Sequence, residues 1–101
     1  MDKVMIGIVY NACFGGFGLS SEAIVRYAEI KGIDCETIRH REIPRNDPAL
    51  VQVVEEMKEK SSSSLSNLAI KYLPKGTRYR ISEYDGFEEV ETPESIKWEV
   101  A

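Results

Sequence analysis

A glycine-rich segment follows the first apolar stretch of the chain and carries the residues best suited to ligand binding. Val4 to Tyr10 is almost entirely apolar and rich in β-branched residues, which predicts a strand buried on both faces. Ser20 follows the glycines as a helix-capping residue. Backbone N–H groups at such a strand-to-helix turn, together with the helix dipole, favour an anion. The sequence therefore predicts a phosphate cradle formed by Asn11, Cys13, Phe14, Gly15, Gly16, Phe17, Gly18 and Ser20, in which the aromatic rings are able to stack on a base.

This glycine segment departs from the established phosphate-binding motifs. A G-x-G-x-x-G fingerprint would need a third glycine where Ser21 stands, and a P-loop would need a lysine that the segment lacks. A phosphatase-type cysteine loop would need an arginine at position 19, which is Leu19. The alternative interpretation is a tight strand-to-helix connection whose glycines adopt positive φ angles.

Three arginines supply the predicted cationic side of the cradle. Arg39, Arg41 and Arg45 follow residues 33–38, a short β-branched segment predicted as a second strand. If the first two strands are parallel, the arginines and the glycines lie at the same end of the sheet, where guanidinium groups suit phosphates. The alternative is a solvated basic loop.

Cys13 and His40 are the residues that suggest covalent catalysis. A thiolate near a helix N-terminus is stabilised, and His40 is the only histidine. No motif brings the two together, so we interpret Cys13 as a buried, unreactive thiol and assign no catalytic residue. Cys13 and Cys35 lack metal-ligand spacing, so neither a metal nor another cofactor is predicted. Reduced thiols are expected, and a bridge between the two is the alternative.

Periodicity and capping signals define the elements that position these residues. Ser20 and Gly32 bracket a helix over residues 20–31, and Asp47-Pro48 begins a second helix that extends to residue 60. Further strands are predicted at 68–73 and 77–82, a turn at 84–86, and a fifth strand at 96–100. A short helix beginning at Thr92-Pro93 is the alternative for the last segment. The order β-α-β-α-β-β(-β) predicts one α/β (or α+β) domain over residues 1–101, with a mixed sheet of four to five strands and two helices.

The net charge of −4 is unevenly distributed. Residues 1–81 hold 12 Lys or Arg against 10 Asp or Glu, whereas residues 82–101 hold one Lys against seven acids. The negative net charge of the whole chain argues against non-specific nucleic-acid binding. The apolar runs are too short for a transmembrane helix, and the N-terminus lacks a signal-peptide layout. We therefore expect a cytoplasmic protein that does not enter membranes.

The segment from Tyr10 to Ser20 resembles the opening of a family of small uncharacterised phage and prophage proteins that carry a Gly-Gly-Phe-Gly-Leu-Ser loop. Residues 45–56 and 83–88 extend the similarity over most of the chain. Family members often have a glycine-containing link where this chain has Ser61 to Ser64. The resemblance implies a phage or mobile-element context and the cytoplasm of a bacterial host, and it implies no reaction.

Three functional hypotheses follow from these observations. The leading hypothesis is a phage accessory or counter-defence protein that sequesters a nucleotide-like, phosphate-bearing molecule at the glycine segment. The second is an inhibitor of a host protein that uses the acidic segment from Glu83 to Glu99. The third is an enzyme that depends on Cys13. A small core leaves apolar surface and short edge strands uncovered, which predicts a homo-oligomer in each case.

Overall fold

The computed structural model describes residues 4–39 and 42–93, which form a mixed α/β domain. This confirms the predicted fold class and its two helices. None of the helices in these two ranges is long and apolar enough to cross a membrane. The elements in chain order are β1 (Met5–Asn11), α1 (Ser21–Lys31), α2 (Pro48–Met57), β2 (Leu68–Pro74), β3 (Arg80–Tyr84) and β4 (Phe87–Glu91), with short 3-10 turns at Cys35–Thr37 and Lys58–Ser61.

The strands form two antiparallel pairs, β1 with β2 and β3 with β4, in place of the single mixed sheet predicted. The predicted strand at 33–38 is wrong, because that segment contains a 3-10 turn capped by Asp34. The Asp34 side chain accepts a hydrogen bond from the N–H of Glu36 at 3.0 Å, and Thr37 donates its hydroxyl to the Asp34 carbonyl at 2.7 Å. These local bonds compete with strand pairing. The expected parallel neighbour of β1 is therefore absent from the described residues.

One further strand prediction differs from the structure, one strand was not predicted, and one predicted strand lies outside the described residues. The strand predicted at 77–82 is β3 at Arg80–Tyr84, and β4 was not predicted. The turn predicted at 84–86 is confirmed: Asp85 and Gly86 both have positive φ angles. The predicted strand at 96–100, most of its alternative helix, and the residues His40 and Arg41 lie outside the described residues.

The β1–β2 pair is the middle layer of the fold. Val9 packs with Leu50 and Val53 of α2 on one face, and Ile8 packs with Leu73 and Val90 on the other face. Successive side chains of a strand point to opposite faces, so neighbouring residues of β1 contribute to two separate cores. The helices thus cover one side of β1–β2 and the β3–β4 hairpin covers the other. The prediction that the first strand is buried on both faces is confirmed.

Both helices begin at the predicted caps. The Ser20 hydroxyl accepts from the N–H of Ala23 at 3.1 Å, and Asp47 accepts from the N–H of Ala49 at 2.9 Å. Helix α1 ends at Gly32, which has the left-handed φ of 69° expected of that position. Helix α2 ends at Met57, three residues before the predicted end, and the chain continues as a 3-10 turn.

Candidate functional site

Three loops converge beyond the end of β1 and are joined there by Asn11. We call them the glycine loop (residues 12–19), the serine loop (residues 61–67) and the hairpin turn (Asp85-Gly86). The Asn11 side chain is fully buried and donates to the carbonyls of Cys13 at 2.8 Å and Gly86 at 2.7 Å. Its oxygen accepts from the N–H of Asn67 at 2.8 Å. Asn11, predicted as a ligand contact, is therefore already engaged in holding one loop against the other two.

The glycines allow the backbones of these loops to approach one another closely. A Cβ at Gly15 would lie 1.5 Å from the Leu65 carbonyl oxygen, and a Cβ at Gly86 would lie 2.5 Å from the Gly16 nitrogen. Gly16 has a φ of 91° with open space around it. Close packing and positive φ thus account for these glycines without a ligand.

The thiol of Cys13 contacts neighbouring polar atoms of the same junction. Its Sγ lies 3.4 Å from Asn11 Oδ1 and 3.3 Å from the Leu65 carbonyl oxygen. Cys13 and Cys35 are both free cysteines. The Cys13 side chain, predicted to be buried, is therefore half-buried where the glycine loop meets the serine loop.

The N-terminus of α1, predicted to help bind an anion, is covered by the chain that follows α2. Ser20 donates its hydroxyl to the Lys60 carbonyl at 2.6 Å and its N–H to the Ser61 carbonyl at 2.9 Å. Carbonyl oxygens at this end of the helix present partial negative charge to any anion. Ser20 therefore acts as a cap and as a link to the serine loop.

Of the predicted arginines that the structure describes, Arg45 reaches the glycine loop, where it is paired with Glu88. Its two terminal nitrogens contact the Glu88 carboxylate at 2.5 and 2.9 Å, and its guanidinium lies 3.6 Å from the centroid of the Phe17 ring. Only 6% of the Glu88 side chain is exposed. Arg39 is exposed and does not line the cleft beside this pair, and Arg41 lies outside the described residues. Glu88 was not predicted as a partner of Arg45, because the two residues are 43 positions apart in the chain.

The Arg45–Glu88 pair also covers part of the outer edge of β1. The N–H of Val9 donates to the Arg45 carbonyl at 2.8 Å, and the N–H of Asn11 donates to Glu88 Oε1 at 2.9 Å. Unpaired strand edges are sites of unwanted association. The pair therefore has a structural role that is independent of any ligand.

A cleft of about 540 Å³ opens between the three loops and the pair. Its charged groups are Arg45, Glu83 and Glu88, so the lining carries more negative than positive charge. The lining residues are Gly15, Gly16, Phe17, Arg45, Ser63, Leu65, Glu83, Gly86 and Glu88.

Beside this cleft lies a set of large apolar side chains, which we call the tip: Phe14 of the glycine loop, Leu65 of the serine loop, and Tyr84 and the half-buried Phe87, which flank the hairpin turn. Phe14 is 66% exposed, Leu65 69% and Tyr84 74%. The rings of Phe14 and Phe87 are 5.2 Å apart. Glu83 and Asp85 are exposed in the same hairpin. Segments 12–20, 61–67 and 82–91, which build the region, contain five acids and no Lys or Arg, so the tip is both apolar and acidic.

A second buried polar cluster lies at the start of α2. Asp47 accepts from the Tyr27 hydroxyl at 2.7 Å and pairs with Lys31 Nζ at 3.3 Å. Burial and the bond to Asp47 raise the pKa of Tyr27 to about 12. Burial acts to raise the pKa of Asp47, but the bonds from Tyr27, Ala49 and Lys31 outweigh it, and that pKa is lowered. The cluster joins α1 to α2.

Comparisons with known proteins add no relative from which to transfer a role. The chain matches no family model, no curated protein and no solved structure. Within residues 4–39 and 42–93, no group of three or more His, Cys, Asp or Glu side chains is arranged to hold a metal ion. The cleft and the tip are therefore the features of the molecule that indicate a function.

Proposed function

We propose that this chain acts by binding another protein through the tip. The observation that carries the proposal is the convergence of Phe14, Leu65 and Tyr84, the three most exposed large hydrophobic side chains among the described residues. Each belongs to a different part of the three-loop junction, which Asn11 holds together. Exposed aromatic side chains on a rigid support are typical of the residues that dominate protein interfaces.

The charges beside the tip indicate the chemistry of the partner. Glu83 and Asp85 are exposed next to Tyr84, and the loops that form the tip contain no basic residue. Complementary charge increases association rates and disfavours wrong partners. The partner we propose is a protein surface with apolar groups flanked by Lys or Arg. This develops the second sequence hypothesis, using the described part of its acidic segment. A phage accessory role in a bacterial cytoplasm is part of the same proposal, and the family resemblance is its support.

The first experiment uses two synthetic peptides of equal length, one of alternating Leu and Lys and one of alternating Leu and Glu. We expect the basic peptide to bind at least about tenfold more tightly, with affinity that falls as salt is added. Amide chemical shifts should change at the tip. The double variant Phe14→Ser/Tyr84→Ser should lose this binding, whereas the control Ile33→Ser, which changes another exposed apolar side chain, should retain it. Equal affinity for the two peptides, or unchanged binding by the double variant, would refute the proposal.

The second candidate function is the leading sequence hypothesis, binding of a nucleotide-like, phosphate-bearing molecule, and the cleft favours it. Its volume of about 540 Å³ lies within the range of small-molecule sites. Glu88 and Phe17 fix the orientation of Arg45, which leaves its Nε–H and one terminal N–H for a phosphate. Because this arginine is already paired and Glu83 lies nearby, we expect a ligand with one negative charge per phosphate to bind better than a triphosphate.

Calorimetry tests this second candidate with a nucleoside, its monophosphate, its triphosphate and a cyclic dinucleotide. Glu83→Gln removes a negative charge from the cleft and should strengthen phosphate binding by about threefold. Glu89→Gln makes the same change on an exposed residue that does not line the cleft, and should have no effect. An absence of binding at millimolar ligand would exclude this function without affecting the proposal for the tip.

A further inference from the structure

Strand β2 has an outer edge that pairs with no other described strand. Val9 and Asn11 of β1 direct their N–H groups away from β2, towards Arg45 and Glu88. Because bonding alternates along an antiparallel strand, the intervening residues Ile8 and Tyr10 bond to β2, opposite Lys71 and Ala69. The residues Leu68, Ile70 and Tyr72 of β2 therefore direct their N–H and C=O groups outward.

Most of these outward groups lack a partner within residues 4–39 and 42–93. The N–H of Leu68 donates to Ser62 Oγ at 2.9 Å. The Leu68 carbonyl and the N–H and C=O groups of Ile70 and Tyr72 make no hydrogen bond to any part of the chain that the structure describes. Such a row of donors and acceptors is a template for another strand.

We propose that a second copy of this chain pairs with this edge, antiparallel, so that Ile70 of one copy lies opposite Ile70 of the other. The two β1–β2 pairs then form one four-stranded sheet. Two hydrogen bonds join the two Ile70 residues, and two more run from the Tyr72 N–H of each copy to the Leu68 carbonyl of the other. A two-stranded sheet is marginal by itself, and a wider sheet is more stable.

The side chains of β2 favour this register and this partner. With Ile70 on the two-fold axis, Lys71 of each copy lies opposite Ala69 of the other. In the neighbouring register, Lys71 lies on the two-fold axis and faces Lys71 of the other copy. Like charges in direct opposition destabilise a sheet. Pro74 has no N–H and ends the pairing beyond Tyr72. A groove of about 390 Å³ between α2 and this edge, lined in part by Val54, gives the side chains of the second copy room to pack.

The test is the variant Tyr72→Pro in the full chain. Proline at this position removes an outward N–H and leaves the ladder between β1 and β2 intact, as is common in edge strands. The matched control Tyr72→Ala loses the same side chain and keeps the N–H. We expect wild type and the control to sediment as dimers. The proline variant should dissociate roughly 30-fold more readily, because two hydrogen bonds are lost per dimer.

Amide exchange in the wild-type protein provides a second measurement, which decides the matter if the proline variant does not fold. The amides of Ile70 and Tyr72 should become protected as the concentration rises from micromolar to millimolar. The Lys71 amide, which bonds to β1, should be protected throughout. A wild-type protein that stays monomeric at millimolar concentration, or equal dimerisation by the proline and alanine variants, would overturn the proposal. Loss of dimerisation would not affect peptide binding at the tip, so the two proposals fail separately.

Discussion

Asn11 and Asp47 are buried polar residues that join separate parts of the chain: Asn11 joins three loops, and Asp47 joins α1 to α2. Asn11 is neutral and bonds through its side chain to backbone groups of three loops. Asp47 is ionised and bonds to the side chains of Tyr27 and Lys31 as well as to a helix N–H. Asn11 holds the loops of the tip together without adding charge. The charge of the tip is therefore set by its exposed acids, Glu83 and Asp85. The ionised link makes the stability of the helical layer depend on pH.

The largest loss of stability is expected from Asn11→Ala. The change leaves the carbonyls of Cys13 and Gly86 and the N–H of Asn67 without their partner, which should lower the free energy of unfolding by about 3 kcal/mol. Urea denaturation measures this loss. The control Asn46→Ala removes the same side chain from an exposed position and should change stability by less than about 0.5 kcal/mol. Similar losses in the two variants would show that Asn11 does not organise the loops.

A smaller loss, about 2 kcal/mol at neutral pH, is expected from Asp47→Ala, which removes a helix cap and the bonds to Tyr27 and Lys31. The variant Asp47→Asn keeps the cap and isolates the charge. Because folding lowers the pKa of Asp47, its ionised form contributes stability above the unfolded pKa, about 4, and this contribution is lost as the pH falls through the folded value. The stability difference between wild type and Asp47→Asn should therefore shrink in acid. A difference that is constant with pH would contradict the ionised role.

The third prediction compares Gly86→Ala with Gly76→Ala. The two glycines have similar φ angles, 87° and 91°, but a Cβ at Gly86 would lie 2.6 Å from the Phe14 carbonyl oxygen, whereas Gly76 has open space. Gly76→Ala should cost about 1 kcal/mol from backbone strain alone. Gly86→Ala should cost about 1 kcal/mol more, because the glycine loop must shift. Thermal unfolding of both variants checks the difference, and equal melting temperatures would mean that the contact between the loops is unimportant.

Local signals in the sequence predicted much of the fold. Asp47-Pro48 identified the start of α2, and Gly32 identified the end of α1, because capping depends on residues adjacent in the chain. The segment 33–38 shows the limit of this reasoning. Its β-branched residues favour a strand, yet Asp34 forms a local turn. The strand that pairs with β1 is β2, at residues 68–74. This pairing depends on packing between segments that are distant in the chain, so local signals do not predict it.

The sequence predicted which residues near the glycines belong to the candidate site, but it did not predict their contacts with distant segments. The contact of Asn11 with Gly86 spans 75 positions, and the bond from the Asn11 N–H to Glu88 spans 77. No local pattern encodes such contacts. Glu88 stands in a run of acids typical of an exposed strand, and it is buried because Arg45 lies opposite it. The exposure of Phe14 was not predictable either, because a phenylalanine beside glycines is as compatible with a core as with a surface.

The Arg45–Glu88 pair has a further consequence for assembly. It occupies the outer edge of β1 at Val9 and Asn11, so an incoming strand does not pair along the full length of that edge. In the symmetric pairing proposed above, each copy uses its β2 edge once, and no complete edge of the β1–β2 sheet is left for a third copy. Closed two-fold contacts of this kind end in a fixed stoichiometry, whereas a sheet open on both sides continues to add strands and grows into a fibre. One buried ion pair thus limits how large an aggregate this sheet can nucleate.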